Sequence, residues 1–505
     1  MALETEPICS GLASSSMDEQ LTISDIMHKA IAERTFPGGA VAFGSCTVPC
    51  YYQAYGTYTF ESSSAVTPES QWDMSSLTKI MATVPSIMIL YDRGQIALEE
   101  VACKYLPEFG NNGKEFITIR QLLTHTAGLR EFYPFFDMGL RQKDHVLEYI
   151  MEDKIWYTKG MTRYSDLSMI VLGLIVERIA RMPLEVFTAK EIFEPLGMRS
   201  TCFRPINRTD FNPLVVPTEV DRMHRNRLLW GEVHDPSAFV LGGVAGHAGL
   251  FSTIIDVCRF AQTMLAGGMD QTTSRRLFRE STVRLFTTPG LKTPNNPRPF
   301  ALGWDVAVRR FMDGYTSAGK YLGSRTFGHT GFTGTSLWID PDRNLFVALL
   351  TNAVHPTAVG GFGYKVREVR PMIADAAVHA MGEQAIPRES LTWHLGSTII
   401  SEERKFLALS QAQSSFLSTD DDLLHWAPLE HSTLSSVQDV QLPLQLSEPI
   451  GTRSSKQIAK VTFASVTTSM DMSQNISNQT AEKHHIEWRR LLPIICVALV
   501  VGAIA

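Results

Sequence analysis

Two pairs of strand-like runs, one on each side of a long helical stretch, constrain this chain more than any other feature. Residues 40–44 and 51–55 flank a proline-containing turn, and residues 336–339 and 345–350 flank Asp340-Pro341-Asp342-Arg343-Asn344. Short apolar runs rich in β-branched and aromatic residues, bounded by turn formers, read as hairpins. The sequence between them is helical in character, as at residues 119–123 and 169–176, and a further helix follows at residues 366–381, with Val366, Val369, Ile373, Ala377 and Ala380 on one stripe. Strands drawn from distant parts of the chain, with a helical insert between them, predict an α+β (α/β) architecture with a cleft where the two parts meet. Clefts of that kind are where ligands bind.

Ser76-Leu77-Thr78-Lys79 places a hydroxyl and an amine three residues apart where a helix is expected to begin. Positions i and i+3 share a helix face, so the amine reaches the hydroxyl oxygen. Ser75 and Ser76 offer caps, and Ile80, Val84, Ile87 and Met88 form an apolar stripe. The serine is then expected at the N-terminal end of a buried helix, where the dipole favours negative charge. Ser317-Ala318-Gly319-Lys320 has the same spacing, but it lies among Gly314, Gly319 and Gly323 and reads as a loop.

The 505-residue chain has a formal charge of −6 and no long basic run, which argues against nucleic acid as a partner. Its seven cysteines lack the paired spacing of a zinc site, so no metal and no cofactor is expected. His125, His234, His247 and His355 have no acidic or histidine partner at ligand spacing and read as structural. The glycine-rich stretch 242–249 lacks the Lys-Ser/Thr ending of a phosphate loop and reads as a turn lining the cleft.

After residue 384 the texture turns to Ser, Thr and Gln, and the chain ends on an apolar run behind Arg489-Arg490. The expected organisation is a tail (1–20), a folded domain (21–384), a poorly ordered stalk (385–488) and a hydrophobic anchor (489–505). As a helix, the last fifteen residues would rise about 22 Å, short of a hydrocarbon core of roughly 30 Å. A C-terminal tail anchor is favoured over a lipid-anchor signal, because Met1 to Pro7 lacks the basic start and apolar run of an export signal. Asn207, Asn475 and Asn478 head sequons that would fit export.

Two further motifs single out the first Ser-x-x-Lys. Tyr164-Ser165-Asp166 precedes an apolar helix, and His329-Thr330-Gly331 precedes the second hairpin. With residues 117–129 and 241–253, these motifs in this order resemble the serine β-lactamase and penicillin-binding-protein superfamily, most nearly its class C, esterase and D,D-carboxypeptidase branch. The resemblance covers about residues 20–382.

It implies an antiparallel sheet flanked by the terminal helices, plus a mainly helical lobe. It also implies acyl-enzyme chemistry on small ester or amide substrates, with Ser76 as nucleophile and Lys79 and Tyr164 sharing the proton work. The backbone N–H groups of Ser76 and Phe332 would form the oxyanion hole. Asp166, His329, Thr330 and Gly331 would line the substrate site, and the strand edge there would accept an extended substrate.

Two departures stand out. Many relatives have lysine where this chain has His329, and asparagine where it has Asp166. Histidine ionises near 6.5, so anionic substrates are expected to be used better as the pH falls toward about 6. Asp166 is expected to keep Lys79 protonated, which leaves Tyr164 as the base; a tyrosine, ordinarily near 10, needs a nearby cation for that. A β-lactamase or D,D-carboxypeptidase is the narrower alternative, and an inactive binding or scaffold relative is the remaining one.

Overall fold

Continuous apolar strands, buried on both faces, build the centre of the molecule. In chain order the principal elements are α1 (Ile23–Ala32), β1 (Gly38–Gly44), β2 (Tyr51–Gly56), α2 (Val84–Asp92), α3 (Asp166–Ala180), α4 (Ile254–Leu265), β3 (Asp305–Val306), β4 (Phe327–Thr330), β5 (Ser336–Asp340), β6 (Leu345–Thr351) and α5 (Val366–Met381). The six strands form one antiparallel sheet in the order β3-β4-β5-β6-β1-β2. Both expected hairpins form, with Gly38 opposite Gly56 in the first and Asp340 opposite Leu345 in the second. β1 pairs with β6, from Gly39 opposite Thr351 to Gly44 opposite Phe346, and this joins the two ends of the domain.

Successive side chains in a strand face opposite ways, so each face of the sheet has its own core. Val41, Phe43, Val347 and Leu349 point to one side, against Ile26 and Met27 of α1 and Val369 and Ile373 of α5. Ala40, Ala42, Phe346, Ala348 and Leu350 point to the other, against α4 and the helical lobe. The terminal helices therefore cover one face and the lobe the other, as the sequence led us to expect. α1 begins at a capping box: Thr22 Oγ1 accepts the Asp25 N–H (3.2 Å), and Asp25 returns the contact to the Thr22 N–H (3.0 Å).

The computed structural model describes residues 21–382, except 48–49, 206–213, 291, 294–295, 298, 308–315 and 359–364. The N-terminal tail, the Ser/Thr-rich stalk, the apolar C-terminal run and all three sequons lie outside the described residues. Among the described residues no helix is long and apolar enough to cross a membrane, and no group of side chains is placed to hold a metal ion.

Candidate active site

A short ribbon leads into Ser76. Trp72–Asp73 pairs with Leu250–Ser252, which pairs in turn with Cys202–Phe203, and the Met74 N–H extends the ribbon to the Leu250 carbonyl (2.9 Å). The chain then turns sharply, with Ser75 at φ +48° and Leu77 N–H bonded to the Met74 carbonyl (3.0 Å). The expected serine caps do not form. Ser75 Oγ accepts the Phe332 N–H (3.0 Å), and Ser76 Oγ faces two side-chain donors, so neither hydroxyl turns back onto its helix.

The helix opens as a π-turn, Lys79–Thr83, before continuing as α2. Pro85 lacks the N–H that a regular α ladder would send to the Met81 carbonyl, and the Val84 N–H reaches Lys79 O instead. Every side chain from Lys79 to Leu90 is buried, in keeping with the apolar sequence.

Lys79 Nζ donates to Ser76 Oγ (2.9 Å) and to the His247 carbonyl (2.9 Å), and lies 2.8 Å from Asp166 Oδ1. Tyr164 OH donates to the same Ser76 Oγ (3.0 Å). Burial pulls the Lys79 ammonium down, but the Asp166 carboxylate beside it outweighs the burial, and the net direction is up. Lys79 therefore stays a cation, as expected from Asp166. Tyr164 departs from expectation: burial pushes its phenol up to about 12, with the Asp166 charge adding and Lys79 only partly opposing. The nearby cation does not make it a resting phenolate.

Tyr164 precedes α3, whose N-cap is Ser165, with its hydroxyl accepting the Ser168 N–H (3.2 Å). Asp166 occupies the first turn, where a carboxylate suits the helix dipole. The Tyr164 ring packs between His125 (4.8 Å between centroids) and His329 (5.6 Å).

His329-Thr330 ends β4, and Gly331 begins the turn that closes with Gly331 N–H to Thr335 O (2.7 Å). His329 Nδ1 lies 2.6 Å from the Thr330 carbonyl, so the proton sits on that nitrogen. β3 pairs only as far as Gly328, which leaves the outer edge of His329 and Thr330 beyond its end among the described residues. Every residue singled out from the sequence for this site thus meets here: Ser76, Lys79, Tyr164, Asp166, His329, Thr330, Gly331 and Phe332. Ser317 to Lys320, the competing match, form a turn.

Several neighbours escaped the sequence reading. His234 and His247 do have acidic partners, Glu219 (2.9 Å) and Asp235 (3.0 Å), from positions that ligand spacing does not reveal. His355 lies 3.8 Å from Glu61. His125 Nδ1 accepts the Ser165 N–H (3.1 Å), which fixes the residue next to Tyr164. Asp73 holds the nucleophile turn with one oxygen on the Ser75 N–H (2.8 Å) and the other on the His234 N–H (2.7 Å). Arg370 of α5 donates to the carbonyls of Gly331 (2.7 Å) and Thr335 (3.1 Å). Its signal was present, since a cation on the stripe of Val366, Ile373 and Ala377 breaks the apolar pattern of a buried face. The glycine-rich stretch supplies a carbonyl to Lys79 and does more than line the cleft.

Comparisons with known proteins bear on the family and the fold. The N-acetylmuramyl-L-alanine amidase of Bacillus subtilis (strain 168) is 33% identical over 316 residues, which span 57% of this chain and 69% of that protein. Simvastatin Synthase (LovD) from Aspergillus terreus superposes with a TM-score of 0.56 at 19% identity, covering 72% of this chain and 98% of that one. The octameric penicillin-binding protein homologue from Pyrococcus abyssi gives 0.54 at 19% identity, over 71% and 77%. These two structural likenesses concern the fold. The Beta-lactamase family model matches residues 23–368, most of the domain and every motif named above, and the chain belongs to that family.

Proposed function

We propose that this protein is a serine hydrolase that cleaves ester or amide bonds of small substrates through an acyl-enzyme on Ser76. One observation carries the reading: Lys79 Nζ and Tyr164 OH converge on Ser76 Oγ at 2.9 and 3.0 Å. Such convergence on a half-buried serine is the arrangement of an activated nucleophile. Ser76 Oγ attacks the carbonyl carbon, and its proton passes to Tyr164 in its ionised form. The same proton then goes to the leaving oxygen or nitrogen as the acyl bond breaks. Water repeats the sequence and releases the acid.

Lys79, held charged by Asp166, stabilises the transient phenolate and does not itself take the proton. With the phenol pushed up to about 12, the ionised base is a minor species at pH 7. Turnover should therefore increase as the pH rises from neutrality. The Ser76 N–H and the Phe332 N–H would hold the oxyanion, and the open edge at His329 and Thr330 would align an extended acyl group.

Purified protein is to be incubated with a fluorophosphonate probe, a p-nitrophenyl ester and a labelled penicillin, beside Ser76→Ala. Labelling and ester turnover that vanish in the variant support the proposal. Stable penicillin labelling moves it to the narrower β-lactamase or D,D-carboxypeptidase reading. Silence toward all three leaves an inactive relative. The membrane attachment we propose rests on the sequence of residues 489–505 alone, and deleting those residues should move the protein from the membrane to the soluble fraction.

A further inference from the structure

The second oxyanion donor already has an occupant. Phe332 N–H donates to Ser75 Oγ at 3.0 Å, inside the 2.7–3.1 Å range in which such a donor holds an oxyanion. The Ser76 N–H, its expected partner in the hole, has no acceptor among the described residues. Ser75 is buried, and its backbone is bonded at both its N–H and its carbonyl, the latter accepting the Thr78 N–H (3.0 Å). Its N–H is bonded to Asp73 Oδ1 (2.8 Å), its φ is +48°, and the turn packs so closely that a Cβ on Gly331 would lie 3.3 Å from Ser75 Cβ. The backbone is held in a conformation rare for a side-chain-bearing residue, so rotation about χ1 is the motion left to the hydroxyl.

We infer that Ser75 is a latch on the oxyanion hole: in the free enzyme its hydroxyl stands in for the substrate oxygen on the Phe332 N–H, and it must rotate away before a carbonyl can bind there. The inference rests on the serine-hydrolase reading above. Its consequence follows from comparing what the N–H exchanges at each stage. When a neutral carbonyl displaces a neutral hydroxyl, one ordinary hydrogen bond replaces another and little is gained. When the carbonyl becomes an oxyanion, the bond to it is charge-assisted and about twice as strong. The cost of opening the latch falls once, on forming the complex, and is shared by the bound ground state and the transition state. The latch therefore weakens substrate binding without slowing the chemical step. Weakly held carbonyl compounds are excluded, while a substrate with binding energy elsewhere in the cleft opens the site.

The test compares wild type, Ser75→Ala and Ser75→Gly on a p-nitrophenyl ester, with Ser76→Ala as control. Removing a neutral hydrogen bond of ordinary strength should lower KM about fivefold in both variants, raise kcat/KM by the same factor and leave kcat unchanged. A soluble boronic acid, which presents oxygen to the hole after adding to Ser76, should bind both variants more tightly by a similar factor. An unchanged KM and boronic-acid affinity would overturn the latch. So would a fall in kcat at unchanged KM, since the hydroxyl would then be helping the transition state. Turnover that survives in Ser76→Ala would remove the serine-hydrolase reading itself, an outcome separate from either. Ser75→Gly also relieves the positive φ, so it provides a folded comparison if Ser75→Ala is too unstable to measure.

Discussion

At the scale of single residues, Asp166 sets the protonation of the site. Its carboxylate is 2.8 Å from Lys79 Nζ, and its charge raises both the Lys79 ammonium and the Tyr164 phenol. Catalysis needs the pair with one proton fewer, so a raised value means activity that grows as the pH rises. For a neutral ester, kcat/KM should climb close to tenfold per pH unit between about pH 6 and 9, because that whole window lies below a phenol at about 12. Asp166→Asn removes the anion that holds the Lys79 proton and adds to the effect of burial on the phenol, so its profile should shift to lower pH and its rate at pH 7 should exceed wild type. A profile that stays in place would refute the role given to Asp166. Tyr164→Phe keeps the ring against His125 and His329 but loses the hydroxyl on Ser76. A loss of about 10²–10⁴ in kcat with a folded protein is expected, and it is checked by steady-state kinetics beside a thermal melt.

At the scale of elements, what was legible in the sequence was what is local. The hairpins followed from apolar runs around turn residues, and helix 366–381 from its stripe, because strand and helix periods are written in nearby residues. Contacts made across the chain left little local trace. Ser75 looked like a cap because a serine before an apolar helix usually is one; its real partner, Phe332, is far along the chain and reaches it only because the β4–β5 turn packs on the nucleophile turn. The histidines looked unpaired for the same reason. Gly246 shows what such packing demands. A Cβ there would lie 1.9 Å from the Met169 carbonyl of α3, while the Gly246 carbonyl accepts from Thr83 and the next residue's carbonyl accepts from Lys79. Gly246→Ala must push the segment off α3, with an expected destabilisation of about 3 kcal/mol. Lys79 would lose one of its acceptors at the same time. A lowered melting temperature together with a fall in kcat is expected, and a variant as stable and active as wild type would show that the close approach is dispensable.

At the scale of the whole molecule, buried polar links hold the lobe to the sheet around the site, and they make stability depend on pH. Asn352, just after β6, donates to the carbonyls of Tyr58 and Pro217 (2.9 Å each). Glu219 accepts from Thr357 (3.1 Å) and the Ala358 N–H (2.7 Å) and pairs with His234 (2.9 Å). His234 in turn gives its N–H to Asp73 under the nucleophile turn, with its ring 5.6 Å from that of Phe332. Burial pulls the His234 imidazolium down, but the hydrogen bond and charge of Glu219 outweigh it, so its folded value lies above 6.5. The sign follows from linkage: a group with a raised folded value binds its proton more tightly when folded than when unfolded. Its contribution to stability is complete below the unfolded value of about 6.5 and is lost as the pH rises through the folded value. The contribution of His234 to the melting temperature should therefore fall as the pH is raised above about 6.5. Glu219→Gln keeps an oxygen for the Ala358 N–H but removes the charge that favours the imidazolium, so it should start less stable at pH 6 and lose little more with rising pH. Melts of both proteins across that range decide it, and parallel curves would mean that His234 does not couple the site to the stability of the fold.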